Sequence, residues 1–292
     1  AALLEPPYGR PDIAEYTIFG YVPAELDYSV TKTLEYSYDD WALSRIAELL
    51  GKIDDKCELL KRALYYRNVF NGSIRLMMPK YSDGSWAEDR EGFLEGDAWT
   101  YSWCVPHNVQ DLINLMGGRE AFSELLDRCF EEGYYIHDNE PPLHYAYLYS
   151  YAGQPWKTQE RVHIIMEQSY LDEPGGLPGN DDLGSLSSWY VFSALGFYPV
   201  CPGMPYYVLG SPIFANATVY LPNGKQLVID SPMASSDNIY IQTAKFNDLD
   251  LGKPWIEHSM LASGGILHID LDSEPDKEWG TQEDKDPYSM TT

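Results

Sequence analysis

The chain has 292 residues, 44% hydrophobic and 14% aromatic, enough to bury a core for one large domain or two modest ones. Its 20 Lys+Arg against 45 Asp+Glu give a formal net charge of −25, which repels phosphate backbones and anionic membrane surfaces and argues against nucleic acid as a partner. No apolar run reaches the roughly 18–20 residues that span a bilayer, and 24 Tyr, 9 Phe and 8 Trp are too many aromatics for a disordered chain.

The opening Ala1-Ala2-Leu3-Leu4-Glu5 holds neither an initiator Met nor a basic and apolar leader, so the sequence reads as processed or as the interior of a longer protein. Residues 31–50 predict the clearest helix, with Leu34, Tyr38, Trp41, Ala42, Ile46 and Leu49 on one stripe. Ser29 or Thr31 can cap its start, and Gly51 ends it. Glu35 and Asp39, four apart, share a face of this helix, which a solvated surface explains as well as a site does. A second helix is expected over 55–70, where Asp55 and Glu58 are spaced as a capping box. A third covers 98–116 and breaks at Pro106. Further helices fit 120–132, 143–151, 155–170 and 185–195, the last closed by Gly196.

The pattern changes near residue 198. Residues 217–221 and 225–229 flank Pro222-Asn223-Gly224 and predict a hairpin, and 239–243 and 266–271 predict further strands. Asn247-Asp248-Leu249-Asp250-Leu251-Gly252 imitates a calcium loop but lacks the closing Glu, and reads as a turn. Beyond Glu274 the sequence is acidic and poor in apolar residues, as in a surface tail. The expected division is therefore a helical region over 1–198 and a β-rich module with an acidic tail over 199–292. Cys57, Cys104, Cys129 and Cys201 form no CxxC pair and read as buried thiols.

Four segments concentrate carboxylates, aromatics and turn residues. Besides Glu35 and Asp39, the first is Glu95-Gly96-Asp97-Ala98-Trp99-Thr100-Tyr101-Ser102-Trp103. Aromatic walls around Glu95 would desolvate its charged form and suit it to donate a proton; a carboxylate facing a helix dipole fits the same position. Next, His137-Asp138-Asn139-Glu140-Pro141, with His144 beyond it, offers hard oxygen donors suited to calcium, while the histidines fit equally in a tyrosine-rich core. The last, residues 175–185, carries Asn180, Asp181 and Asp182 on a glycine-rich turn that lets the backbone approach a ligand. The chain has no HExxH, GxxxxGK[ST], GxSxG or GxGxxG motif. Carboxylates, aromatic faces and oxygen ligands suit sugar chemistry, in which a carboxyl pair cleaves a glycosidic bond.

Thr33-Leu34-Glu35-Tyr36-Ser37-Tyr38-Asp39-Asp40-Trp41, Glu95-Gly96-Asp97-Ala98-Trp99, Asn139-Glu140-Pro141 and Pro155-Trp156-Lys157-Thr158-Gln159 occur in order. They are followed by Gly179-Asn180-Asp181-Asp182 and by the segment 188–199. With these motifs the chain, from about Gly20 to Gly280, resembles glycoside hydrolase family 92, the calcium-dependent exo-acting α-mannosidases. The resemblance implies a mainly α fold with a β module. Part of an (α/α)6 toroid would be followed by strands that pack on an N-terminal β-sandwich missing from this sequence, leaving a C-terminal fragment. It implies an inverting enzyme, with Glu95 as general acid and Asp182, beside Asp181 or Asn180, as the base that activates water. Ca2+ would lie among Asn139, Glu140 and Asp182, and Trp99, His144, Glu140 and Asn180 would contact the sugar of a mannose-containing glycan. An extracytoplasmic location follows from the family. The chain departs from the family pattern at Asp97, Thr100, Asn108 and Leu183-Gly184-Ser185, the last replacing a Gln beside the expected water and metal. A non-catalytic or degenerate carbohydrate-binding module is the competing expectation.

Overall fold

The computed structural model describes residues 9–87 and 92–291, so the opening Ala1-Ala2-Leu3-Leu4-Glu5 lies outside the described residues. Two compact units emerge: one takes residues up to 116 with Arg128–Tyr135, the other Gly117–Asp127 with the chain from Ile136 onward. The change of pattern near residue 198 marks where most strands begin, whereas the helices within 136–195 belong with those strands in the second unit.

In the first unit, α1 (Ile13–Phe19), α2 (Ser29–Leu49) and α3 (Ile53–Arg62) lead to a small hairpin of β1 (Phe70–Asn71) and β2 (Leu76–Met77). Two short helices follow, α4 (Ala98–Tyr101) and α5 (Val109–Leu115), separated by the break expected at Pro106. The apolar stripe of α2 buries Leu34 and Trp41, but its far end, Ile46 and Leu49, is exposed. Asp40 is also buried on α2, and Arg10 and Arg62 reach it at 2.9 and 3.0 Å, which offsets the cost of burying a charge. Neither Ser29 nor Thr31 caps this helix with its side chain. The backbone N–H groups of Val30 and Thr31 instead donate to the Gly92 carbonyl at 2.9 and 3.3 Å, which satisfies two of the donors a helix start leaves open. The Asp55–Glu58 box is likewise absent: α3 starts after Lys52 without a side-chain cap, and it stops at Arg62 before a 3-10 turn over Tyr65–Val69.

Helix α6 (Arg119–Glu131) has residues in both units. In the second unit a buried 3-10 segment, Tyr145–Ser150, stands where an α-helix over 143–151 was expected. Its i to i+3 bonds begin at once after the Pro141-Pro142 pair, with Tyr145 N donating to Pro142 O. Then come α7 (Pro155–Ser169) and α8 (Ser185–Leu195), the latter closed by Gly196 in the left-handed conformation. The strands are β3 (Phe197–Tyr198), β4 (Tyr206–Leu209), β5 (Asn216–Tyr220), β6 (Gln226–Asp230), β7 (Tyr240–Phe246), β8 (Leu249–Asp250) and β9 (Trp255–Glu257). After α9 (His258–Ala262) the chain enters β10 (Gly265–Asp272).

Five of these strands form one sheet in the order β5-β6-β10-β7-β8, and β3-β4-β9 form a smaller one. The Asn-Gly hairpin joins β5 and β6 as expected, and Asn247-Asp248 is the turn between β7 and β8. The parallel pairing of β6 with β10 had no sequence signal. Leu227, Ile229, Ile241, Phe246, Leu267 and Ile269 build the core of this unit, and Trp279 joins them. The segment beyond Glu274 is therefore a docked strap and not a free tail. Tyr206 donates its hydroxyl to Tyr288 O at 2.9 Å, Trp255 Nε1 donates to Lys285 O at 3.0 Å, and Arg119 pairs with Asp286. Cys129 and Cys201 are buried as expected, whereas Cys57 is exposed. No helix among the described residues is long and apolar enough to cross a membrane.

Candidate active site

The Glu95 loop is fastened to the start of α2. Leu94 N donates to Thr31 Oγ1 at 3.0 Å, and Tyr101 closes the loop by donating its hydroxyl to Leu94 O at 2.6 Å. Gly92, which supplies the carbonyl to α2, has no room for a side chain: a Cβ there would stand 2.4 Å from Pro79 Cγ. The helix-start role falls to Asp97, whose Oδ1 accepts from Trp99 N and Thr100 N at 2.9 and 3.0 Å. Glu95, two residues earlier, is exposed and has φ 52°. Trp103 is fully buried, and the Tyr101 hydroxyl is tied to Leu94. Trp99 stacks on Tyr134 with centroids 4.3 Å apart and planes 3° apart, while Arg128 Cζ lies 5.2 Å from the Trp99 centroid.

In the second unit the 137–142 and 175–185 loops come together. A Cβ on Gly179 would stand 2.1 Å from Asp138 O, and one on Gly176 would stand 1.9 Å from Leu171 O. Gly176 and Gly179 thus serve backbone-to-backbone contact. Ser185 Oγ lies 3.3 Å from Glu140 Oε1 and 3.0 Å from Asp181 O, so it links the two loops. Asp181 plays a structural part, since its carboxylate accepts from Ser187 N at 2.9 Å and Ser187 Oγ at 2.8 Å, in the first turn of α8. Those two bonds from Ser187 hold its carboxyl below the usual range. Asp182 is exposed, with φ 35°, and it opens a left-handed run through Leu183 at 61° and Gly184 at 90°.

His137 is a core residue. Its Nε2 bonds the Tyr170 hydroxyl at 2.8 Å, which itself donates to Leu186 O at 3.0 Å, and its ring meets Trp189 edge-on at 4.3 Å. Burial pushes it down to about 4, so it is neutral at pH 7. His144 is half-buried, its ring edge-on to Tyr145 at 4.9 Å. Asn180 is exposed beside the acids.

Glu95 and Trp99 therefore belong to the first unit, and Asn139, Glu140, His144, Asn180, Asp181 and Asp182 to the second. Thr31 and Ser187 were missed as parts of these loops. Hydroxyls following the acids into the first turn of 185–195 were the available signal for Ser187; Thr31 gave none beyond its place near a helix start. Among the described residues, no group of three or more His, Cys, Asp or Glu side chains gathers as a metal cluster. The donors expected for calcium are nevertheless hard oxygens, an Asn amide and two carboxylates on loops, with Glu140 joined to the acid turn through Ser185. That chemistry fits calcium if backbone carbonyls and water complete its shell.

The model of the glycosyl hydrolase family 92 catalytic domain matches residues 2–273. The chain belongs to that family. It is 29% identical, over 99% of its own length and 43% of the relative's, to a protein of Arthroderma benhamiae described as an uncharacterized secreted glycosidase. Two solved structures from Bacteroides thetaiotaomicron share its fold at a TM-score of 0.92. One is the family 92 inverting mannosidase BT2199, 37% identical over 97% of this chain and 43% of that one. The other is the family 92 α-mannosidase BT3965, 34% identical over 96% of this chain and 40% of that one. This chain thus spans less than half the length of the relatives it matches.

Proposed function

We propose that this family 92 chain carries catalytic residues of an inverting, exo-acting α-mannosidase that removes terminal α-linked mannose from glycans. Its fold is then read as part of an (α/α)6 toroid followed by strands that meet an N-terminal β-sandwich outside this sequence, and its location as extracytoplasmic. The relatives named as an inverting mannosidase and as a secreted glycosidase support these readings.

One observation carries the residue assignment. Glu95 and Asp182, the acid and base implied by the motifs, are both among the non-glycine residues with positive φ, at 52° and 35°. A non-glycine residue in that region costs on the order of 1–3 kcal/mol, and such strain concentrates at functional sites. In each loop the structural part falls to a neighbouring aspartate, with Asp97 capping α4 and Asp181 holding the first turn of α8.

In this mechanism Glu95 protonates the glycosidic oxygen as the bond breaks. Asp182 takes a proton from the water that attacks the opposite face of the sugar. An inverting pair needs carboxyls roughly 6.5–9.5 Å apart to admit that water. Asp181 keeps its carboxylate on Ser187 and orients the turn that presents Asp182. Asn139, Glu140 and Asp182 would hold calcium, which when bound orients the water and the O2 and O3 hydroxyls. Trp99, His144, Glu140 and Asn180 would line the sugar site.

Release of mannose from α-linked mannobioses, measured with calcium and after chelation, tests the reading. Loss of release on chelation and recovery with calcium are expected; turnover that a chelator leaves undiminished contradicts the metal assignment. The second reading is a carbohydrate-binding module without hydrolysis. Ser185 favours it, because that short side chain is engaged by Glu140 and Asp181. It predicts calorimetric mannose binding with no mannose released.

A further inference from the structure

Four acids lie on α2, and three of them have a cation. Asp39 stands 3.8 Å from Arg10, Asp40 is held by Arg10 and Arg62, and Glu48 by Arg45 and Lys56. Glu35 alone of the four has neither an ion pair nor a hydrogen bond among the described residues. A carboxylate is an acceptor at both oxygens, and among the described residues neither oxygen of Glu35 has a donor.

Its place on the helix says which donor it can meet. Glu35 follows Thr31 by four residues and so lies next on the same helical row. Thr31 Oγ1 accepts from Leu94 N at 3.0 Å, which brings the residue before Glu95 onto that row. Burial pushes the Tyr101 hydroxyl up to about 12, and the charges of Cys104, Glu35 and Glu95 add to the rise. Tyr101 also donates its hydroxyl to Leu94 O at 2.6 Å, so the residue before Glu95 is held beside that row through both its N–H and its carbonyl. The Glu35 carboxyl is exposed to solvent, yet it is raised, by burial first and by the charge of Asp39 second. That place beside the Glu95 loop favours the site over the solvated surface for the Glu35–Asp39 face.

We propose that Glu35 is a substrate-contacting residue beside the general acid, accepting a hydrogen bond from a hydroxyl of the sugar that leaves. The inference rests on the α-mannosidase reading above, in which Glu95 protonates the oxygen of that leaving sugar. A neutral polyol is the ligand class that fits: it supplies hydroxyl donors, and it avoids the repulsion an anion would meet from Glu35, Asp39 and Glu95.

The test compares kcat and KM for an α-linked mannobiose and for nitrophenyl α-mannoside, whose leaving group offers no sugar hydroxyl. A hydrogen bond to a charged group is worth about tenfold to a hundredfold in binding. Glu35→Gln is expected to lower the mannobiose-to-nitrophenyl ratio of kcat/KM by about tenfold or more, mainly through KM for mannobiose. Glu48→Gln, on the same helix, leaves that ratio where it is in the wild type. Calorimetry with a thio-linked mannobiose gives a second readout, in which E35Q binds about tenfold more weakly than the wild type. An active wild type whose ratio and thio-mannobiose affinity are unaltered in E35Q overturns the role of Glu35 and leaves the mannosidase reading intact. A wild type that cleaves neither substrate but binds the thio-linked sugar removes the catalytic reading, and the calorimetric comparison then decides on Glu35. A wild type that neither cleaves nor binds overturns both.

Discussion

The two loops that carry the expected acid and base are held in different ways. In the first unit the Glu95 loop is fastened to a long helix, through Thr31 Oγ1 and through the Gly92 carbonyl that meets the first N–H groups of α2. In the second unit the Asp182 turn rests on backbone close approach at Gly176 and Gly179 and on the hydroxyls of Ser185 and Ser187. The outcome is nonetheless the same in both: one aspartate secures a helix start, and a nearby acid is left exposed on a left-handed residue. Two nearby acids in a loop are therefore not two candidates of equal standing. The one that meets helix N–H groups plays a structural part, and its exposed neighbour is the one we propose for the chemistry.

That contrast can be broken by substitution. The largest effect is expected for Glu95→Gln, which should lower turnover of α-mannobiose by about 10²–10⁴-fold and that of activated aryl mannosides far less. Equal loss on both substrates, measured as kcat, contradicts Glu95 as the acid. Asp182→Asn should lower kcat on both substrates alike, because water activation is needed whatever leaves. Asp181→Asn should retain more turnover than D182N but melt at a lower temperature, because it weakens the hold on Ser187. If D181N proves the more damaging to kcat, the division of labour between the two acids is reversed.

A smaller effect concerns pH and treats the units alike. His107 in the first and His137 in the second are both buried and pushed down to about 4, burial being the largest cause in each. A histidine whose folded value is depressed contributes stability that is present above its unfolded value near 6.5 and is lost as pH falls through the folded value. The melting temperature should therefore drop between about pH 6.5 and 4, with each histidine contributing roughly 3 kcal/mol at the acid end. His137→Phe should flatten the part of that profile that belongs to the second unit; an unchanged profile contradicts the neutral, buried state of His137.

Much of this arrangement was legible in the sequence, for identifiable reasons. Helices α2, α6, α7 and α8 have long stretches with firm ends, such as Gly51 and Gly196, and lie within two residues of their expected bounds. Asn223-Gly224 fixed the β5–β6 hairpin because an Asn-Gly pair accepts the turn conformation that joins twisted strands. The loops that bear Glu95, Glu140 and Asp182 stood out because acids there alternate with residues that turn the chain. What was hidden depends on contacts far along the sequence. The carbonyl that starts α2 comes from Gly92, the residue that holds the Glu95 loop is Thr31, and β10 pairs with β6 across an intervening hairpin and helix. The strap beyond Glu274 looked like a tail because its few anchors, Trp279, Tyr288 and Asp286, are scattered among acids. Local composition records that polarity but not the partners that receive each anchor.

The central claim is that one carboxyl protonates the leaving oxygen while another activates water on the opposite face of an α-linked mannose. Proton NMR of the first mannose released from an α-mannobiose, recorded before mutarotation, reads this directly. The account predicts β-mannose as the initial product, followed by equilibration with the α anomer. Initial release of α-mannose would contradict it.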